Sequence, residues 1–274
     1  MAHTLAASRL GATSVQRLVI IGALGAAALV SWVRLLGEMD PHHSDAWMFL
    51  SMWLSMVGAM MLPTIEPMVG SFWAVTRPLP WVLRGSRVAA FVLPYLALWG
   101  GAGLLALAVH ELTAGRPFLV AALVGAAGLY QLGALKHACL RSCRSPLAFF
   151  LQHGAQCAST LGTLAVGLRH AALCVGCCAG LMIGLTGAGS LDLTWMVALA
   201  GLMLLEKVHP RGPTLARWSG LLLLGVAGSL LWSPAMDVLG NQIAGLGALA
   251  LLTLSALALR PSGTRARSPL PSEL

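Results

Sequence analysis

Charged residues are scarce in this chain: only 9% of its 274 residues are Asp, Glu, Lys or Arg. A soluble domain usually carries roughly 25% of them. Hydrophobic residues make up 58% of the sequence, and a single core could not bury so much apolar surface. The scarcity of charge therefore excludes an ordinary soluble protein. It predicts an all-α polytopic transmembrane helical bundle surrounded by the lipid bilayer.

The chain also lacks the short motifs of several enzyme classes. It contains no phosphate-binding loop, no Gly-x-Ser-x-Gly nucleophile elbow and no His-Glu-x-x-His zinc motif. No histidine falls in the middle of an expected span, which argues against a membrane cytochrome with two axial histidines. Basic patches interleaved with aromatic residues are missing, so nucleic-acid binding is excluded although Lys and Arg outnumber acids 17 to 9. The sequence leaves open whether the protein is an enzyme.

Runs of about 20 apolar residues predict the membrane-spanning helices. We expect eight spans plus one interfacial or re-entrant helix at 147–169, which is too polar for a lipid-facing span. The bundle of 18–259 is expected between a cytosolic segment at 1–17 and a disordered basic tail at 260–274. The expected spans are 18–36, 46–68, 88–110, 117–135, 171–187, 193–208, 215–232 and 243–259.

Charge in the expected connections predicts the orientation of the bundle. Connections rich in Lys and Arg alternate with connections that hold acidic residues or no positive charge. Because positive loops stay in the cytosol, both termini are expected to be cytosolic, and the membrane is expected to be a bacterial inner (plasma) membrane. The basic connections contain Arg77, Arg84 and Arg87, then Lys136, Arg141 and Arg144, then Lys207, Arg211 and Arg217.

Three cysteines are expected on one face at the start of the fifth span. Cys174, Cys177 and Cys178 have the spacing i, i+3, i+4, with His170 one turn before them and Met182 one turn after them. Thiolates and thioethers select soft metals, and Cu(I) accepts few ligands, whereas zinc would need another ligand from a neighbouring helix. This pattern predicts a copper site, with zinc as the alternative. Small apolar cysteines that only pack in a buried helix would produce the same pattern.

Two neighbouring features could complete such a site. Gly176, Gly180 and Gly184 form a ridge of small residues that would let another helix approach closely. Cys139 and Cys143, spaced i and i+4, are expected in the cytosolic loop before the fifth span. We expect them to form a second metal site or an uptake and handover site for a soluble metal carrier, with unremarkable loop thiols as the alternative.

Charged residues are expected at the same depth as the cysteines. Glu66 lies beside a proline-containing stretch of the second span, Lys136 follows the fourth span, and Glu206 and Lys207 end the sixth. A charge near lipid is costly and needs a partner. We therefore expect these residues to pair inside the bundle and to hold its helices around the metal site.

These motifs resemble the domain of unknown function 2182 family, described as predicted metal-binding integral membrane proteins. In that family a Trp often follows the double cysteine, whereas this chain has Ala179. The resemblance implies metal association and supplies no reaction. The matching segments are Gly58-Ala-Met60-Met61-Leu-Pro63 with Pro67, then Leu135-Lys136 through Cys139-Leu-Arg-Ser-Cys143-Arg144-Ser-Pro146, then Cys174-Val-Gly-Cys177-Cys178 with Leu181-Met182, and Trp195-Met196 through Glu206-Lys207.

The function expected from these features is metal handling. We expect an integral membrane protein that binds a soft transition metal and acts in its delivery, assembly or transport, with other membrane subunits or a soluble metal carrier as partners. Two alternatives remain open. The chain could be a subunit of a copper-dependent membrane oxidase, or a structural membrane subunit whose cysteines only pack.

Overall fold

Long apolar runs fold into helices along the whole described part of the chain, which in this computed structural model is 2–38, 46–187 and 193–232. These residues belong to one unit, Met1–Ala235, and contain no strand, so the expected all-α class is confirmed for them. The helices are α1 (Ala2–Glu38), α2 (Ala46–Val75), α3 (Trp81–Thr113), α4 (Pro117–Leu132), α5 (Ala134–Cys143), α6 (Pro146–His153), α7 (Thr160–Gly187), α8 (Leu193–Val208) and α9 (Gly212–Trp232).

Five helices of the described part are long and apolar enough to cross a membrane, and a sixth span results if α4 and α5 are counted as one bent span. The expected number of eight is not confirmed. Helix α8 has only 16 residues, fewer than the roughly 20 that a span needs. The expected span at 243–259 and the tail at 260–274 lie outside the described residues. The five are Leu18–Gly37 within α1, then α2, α3, Thr160–Gly184 within α7, and α9.

The segment 147–169 is not the single interfacial helix that its polarity predicted. Helix α6 ends at His153, a 3₁₀ turn covers Gly154–Ala158, and α7 begins at Thr160. The start of α7 is capped because the Ser159 hydroxyl accepts a hydrogen bond from the Gly162 amide at 3.0 Å. Helix α7 therefore starts eleven residues before the expected position of 171 and has 28 residues. His170 consequently lies near the middle of the candidate span Thr160–Gly184, contrary to the expectation that no span would have a histidine in its middle.

A bend between α4 and α5 directs the second of these helices toward α7. The two helix axes differ by 61° across Gly133, where a Cβ atom would lie 3.0 Å from the carbonyl oxygen of Tyr130. Cys139 and Cys143 consequently lie on helix α5 and not in the loop predicted from the sequence.

Helix α7 is central to the fold because small residues let its neighbours approach closely. A Cβ atom at Gly167 would lie 2.4 Å from the carbonyl oxygen of Phe91 in α3. A Cβ atom at Gly176 would lie 2.7 Å from the Cys139 sulfur in α5, and one at Gly180 would lie 3.0 Å from the Tyr130 ring in α4. The glycine ridge beside the cysteines is thus covered by the bent pair α4 and α5.

Candidate metal centre

Three buried thiols meet in the middle of α7. The sulfur atoms of Cys174, Cys177 and Cys178 all lie within 4.8 Å of one another, and those of Cys177 and Cys178 are 3.5 Å apart. A metal ion bonded to three sulfurs at about 2.3 Å places them roughly 4.0 Å apart in a trigonal plane. The spacing therefore fits one soft metal ion with only small side-chain adjustments. The cysteines lie in the centre of a 28-residue helix and not at its start, as the shorter expected helix had implied.

Cys143 is an additional thiol, on another helix, that packs on this core. It lies half-buried at the end of α5 and is outside the tight group of three sulfurs. It is also packed against the core that contains the three α7 cysteines. The cluster itself therefore offers three fully buried thiols of one helix, and Cys143 is a candidate for a further ligand from a second helix.

The Lys207 side chain brings a positive charge to the thiols. Its ammonium lies 3.2 Å from the Cys174 sulfur and donates a hydrogen bond to the Thr64 hydroxyl at 2.9 Å. Metal-binding thiols lose their protons, so a buried thiolate cluster carries negative charge. An ammonium in contact with one of its sulfurs offsets part of that charge.

Tyr95 in α3 forms another polar contact at the cluster. Its hydroxyl lies 3.3 Å from the Cys174 sulfur and donates to the carbonyl oxygen of Met61 at 3.3 Å. Neither Tyr95 nor Thr64 was predicted from the sequence as a member of the site. The chain has only 2 tyrosines, and a hydroxyl inside an apolar helix needs a partner, which is the signal that could have found Tyr95.

A buried ion pair borders the cluster on its other side. The Lys136 ammonium is 2.6 Å from Glu206 Oε2, and both side chains are almost completely buried. Lys136 also donates a hydrogen bond to the carbonyl oxygen of Cys177. The second carboxylate oxygen of Glu206 accepts hydrogen bonds from the Gln131 amide at 3.1 Å and the Ser219 hydroxyl at 3.2 Å. The carboxylate is thus fully engaged, which lowers the cost of burying it.

These contacts change the interpretation of the charged connections. Lys136 and Lys207 had been counted among the loop charges that orient the bundle, but both ammonium groups bind partners inside the structure. Glu66 was expected to share an ion pair with them. It is half-buried on α2 and joins no ion pair among the described residues.

The remaining predicted ligands, His170 and Met182, lie on α7 one turn before and one turn after the thiols, and His170 is outside the tight group. His170 is buried against the rings of Phe91, Tyr95 and Phe149, with centroid distances of 5.6, 5.9 and 5.7 Å. Its Nδ1 atom has no hydrogen-bond partner among the described residues. Met182 is buried in the same core, one turn beyond Cys178.

The other two cysteines lie apart from the cluster. Cys139 is buried against Gly176 and near the Tyr130 ring, and the tight group of metal-ligating residues does not include it. Cys157 is buried in the 3₁₀ turn, where burial raises the pKa of its thiol. The cluster therefore consists of Cys174, Cys177 and Cys178, and Cys143 packs against the core around them.

Comparison with known protein families identifies a match that covers most of the chain. The model of a family described as PpoB2, copper chaperone, matches residues 50–230, roughly two thirds of the chain. This match corrects the resemblance to the domain of unknown function 2182 family, because the family whose model fits is PpoB2. No curated protein and no solved structure matches the chain.

Proposed function

Because the chain belongs to the PpoB2 copper chaperone family, we propose that it is an integral membrane protein that binds Cu(I) and passes it to a partner. The ligands in this proposal are Cys174, Cys177 and Cys178, with Cys143 as the fourth. The observation that carries it is the group of three buried sulfurs within 4.8 Å of one another. In this proposal His170 and Met182, one helical turn away on either side, are additional candidate ligands.

Thiolate chemistry and the local charge support copper as the metal. Sulfur ligands favour Cu(I), which is stable with two or three of them. Thiolates around one monovalent ion leave a net negative charge, and the Lys207 ammonium at 3.2 Å from Cys174 offsets part of it. Four thiolates in tetrahedral geometry would suit zinc, so Cys143 also makes zinc the natural competitor.

The exposed surface of the helices supports a lipid environment. Large apolar side chains are exposed on several helices, among them Leu104 and Leu105 on α3 and Leu161 and Leu168 on α7. Exposed apolar patches of this extent are uncommon on soluble monomers. In the proposal, lipid covers these faces while the cysteines stay in the protein interior.

The position of Cys143 supports transfer of the metal over permanent storage. The α7 thiols are almost fully buried, whereas Cys143 is only half-buried. A half-buried thiol can reach a ligand on a partner while the metal is still held by the buried ones. We therefore assign Cys143 to uptake or release, with a soluble metal carrier or a copper-dependent membrane enzyme as the partner. Cys139, against Gly176, has no part in this step.

Elemental analysis after loading tests the proposal. The full chain in mild detergent is loaded in parallel with Cu(I) and with Zn²⁺, and is compared with the Cys174→Ser/Cys177→Ser/Cys178→Ser variant. Cys157→Ser is the matched control, because Cys157 is also buried but lies outside the cluster. We expect near-stoichiometric copper in the wild type and the control and none in the triple variant. Equal copper in the triple variant, or zinc that displaces Cu(I), would overturn the proposal.

A further inference from the structure

Arg144, the residue after Cys143, joins the end of α5 to the end of α8. Its guanidinium donates one hydrogen bond to the carbonyl oxygen of Glu206 at 2.6 Å and another to that of Pro210 at 3.2 Å. Glu206 lies in the last turn of α8, where carbonyl groups have no partner within the helix. A cation is also favoured at this negative end of the helix dipole. The contact therefore gives hydrogen-bond partners to carbonyl oxygens at the end of α8, and the helix dipole stabilises the positive charge of the guanidinium there.

This contact fixes the pair Cys143–Arg144 relative to the pair Glu206–Lys207. Arg144 holds the backbone of Glu206. Of the adjacent residues, Lys207 contacts the Cys174 sulfur and Cys143 packs against the core that contains the three α7 cysteines. A shift of α5 along α8 would move the Cys143 thiol away from the cluster and leave the three α7 cysteines in place. The position of the fourth thiol thus depends on a contact that is not itself part of the metal site.

Gly212, the first residue of α9, provides the space for this contact. A Cβ atom there would lie 2.2 Å from Nη1 of Arg144 and 1.9 Å from the carbonyl oxygen of Glu206. Both distances are far below van der Waals contact, and one involves rigid backbone. A side chain at Gly212 would therefore push the guanidinium off the end of α8 without removing its charge.

We propose that Arg144 is a positioning residue, and that its contact with the end of α8 holds Cys143 at the metal cluster. This inference rests on the proposed function for the role of Cys143 as a ligand. Arg144 does not touch the metal. The loss of Arg144 is expected to turn a site of four thiols into a site of three. This change should slow the uptake and release of Cu(I) more than it lowers the affinity for Cu(I).

Two substitutions disrupt the same contact from opposite sides, and each has a matched control. Arg144→Gln removes the cation, and Gly212→Ala displaces it. Arg141→Gln is the control for the first, since Arg141 is exposed on the same helix. Gly201→Ala is the control for the second, since a Cβ atom at Gly201 in α8 meets open space. Arg144→Lys keeps the positive charge but has a single donor nitrogen in place of two, and should give an intermediate result.

The first readout needs no metal. The alkylation rate of Cys143 by a maleimide is followed by peptide mass spectrometry in the metal-free, folded full chain in detergent. We expect it to rise several-fold in Arg144→Gln and Gly212→Ala and to stay unchanged in both controls. The second readout is the number of sulfur ligands around bound Cu(I) from X-ray absorption, which should fall by one in the same two variants.

The outcomes separate this inference from the proposed function. If the wild type binds copper but Cys143 stays as protected in both variants as in the controls, the role of Arg144 is overturned. If the wild type binds no copper, the proposed function fails, and the alkylation rates still decide whether Arg144 positions Cys143. If Arg144→Gln does not fold, Gly212→Ala and Arg144→Lys carry the same test.

Discussion

The buried ammonium of Lys136 joins the Glu206 carboxylate, 2.6 Å away, to the backbone of α7 through the carbonyl oxygen of Cys177. One side chain thereby connects α5, α8 and α7. The carbonyl it holds belongs to one of the proposed ligands, so the ion pair supports the geometry of the site as well as the fold.

Removing one partner of this ion pair should strongly destabilise the protein. Lys136→Met leaves the Glu206 carboxylate buried without its cation, and breaking a buried pair in this way costs about 3–5 kcal/mol. The double variant Lys136→Met/Glu206→Met, which buries no charge, should recover much of the loss. Thermal unfolding in detergent measures both, with the exposed Arg141→Gln as control. A single variant as stable as the wild type would show that the pair does not stabilise the fold.

Lys207 should affect copper affinity through its charge. Lys207→Met removes the ammonium that contacts the Cys174 sulfur, so the bound thiolates lose their compensating cation. We expect Cu(I) affinity to fall by about tenfold, the factor that 1.4 kcal/mol corresponds to. Lys207→Arg, which keeps the charge, should lose less. Competition with a colorimetric Cu(I) chelator gives the affinities, and equal losses in both variants would argue against a charge effect.

Tyr95→Phe should lower the affinity for Cu(I) less than Lys207→Met does. The substitution removes the hydroxyl that contacts Cys174 and Met61 and keeps the buried ring. A single hydrogen bond contributes about 1 kcal/mol net, so Cu(I) affinity should fall by several-fold at most. The same competition assay measures it. A complete loss of copper binding would instead make the hydroxyl a ligand or a determinant of folding.

The two cysteines of α5 should behave differently. Cys139→Ala removes a thiol packed against Gly176 and should leave copper stoichiometry and affinity near the wild-type values. Cys143→Ala removes the half-buried thiol that packs against the core of the three α7 cysteines and should weaken Cu(I) binding and slow its transfer to a chelator. Elemental analysis and stopped-flow transfer give the two quantities. A larger loss of copper binding in Cys139→Ala than in Cys143→Ala would instead make Cys139 the fourth ligand.

The helical fold and the thiol face of α7 follow from local sequence patterns. Apolar runs predict helices because a backbone in lipid must satisfy its own hydrogen bonds. The spacing of Cys174, Cys177 and Cys178 places them on one face of any helix that contains them. The start of α7 was predicted too late because polar residues near Thr163 lower the hydropathy. In the structure, Arg87 lies 3.5 Å from the Thr163 hydroxyl and binds the Ala158 carbonyl oxygen at 3.0 Å.

The partners of the thiols could not be predicted in the same way, because they depend on how distant helices pack. Lys207 and Tyr95 lie 33 and 79 residues from Cys174 in the chain. The sequence predicted that buried charges would pair, but not that Lys207 would contact a sulfur. The bend at Gly133, beyond which α5 packs Cys143 against the core of the three cysteines, is also a tertiary feature.

X-ray absorption at the copper edge tests the central claim, that buried cysteine sulfurs of α7 hold Cu(I). The sample is the full chain loaded with one equivalent of Cu(I) in detergent, beside the Cys174→Ser/Cys177→Ser/Cys178→Ser variant loaded in the same way. We expect a first shell of sulfur only, with three or four ligands, that is lost in the variant. A shell of nitrogen and oxygen, or an identical sulfur shell in the variant, would contradict it.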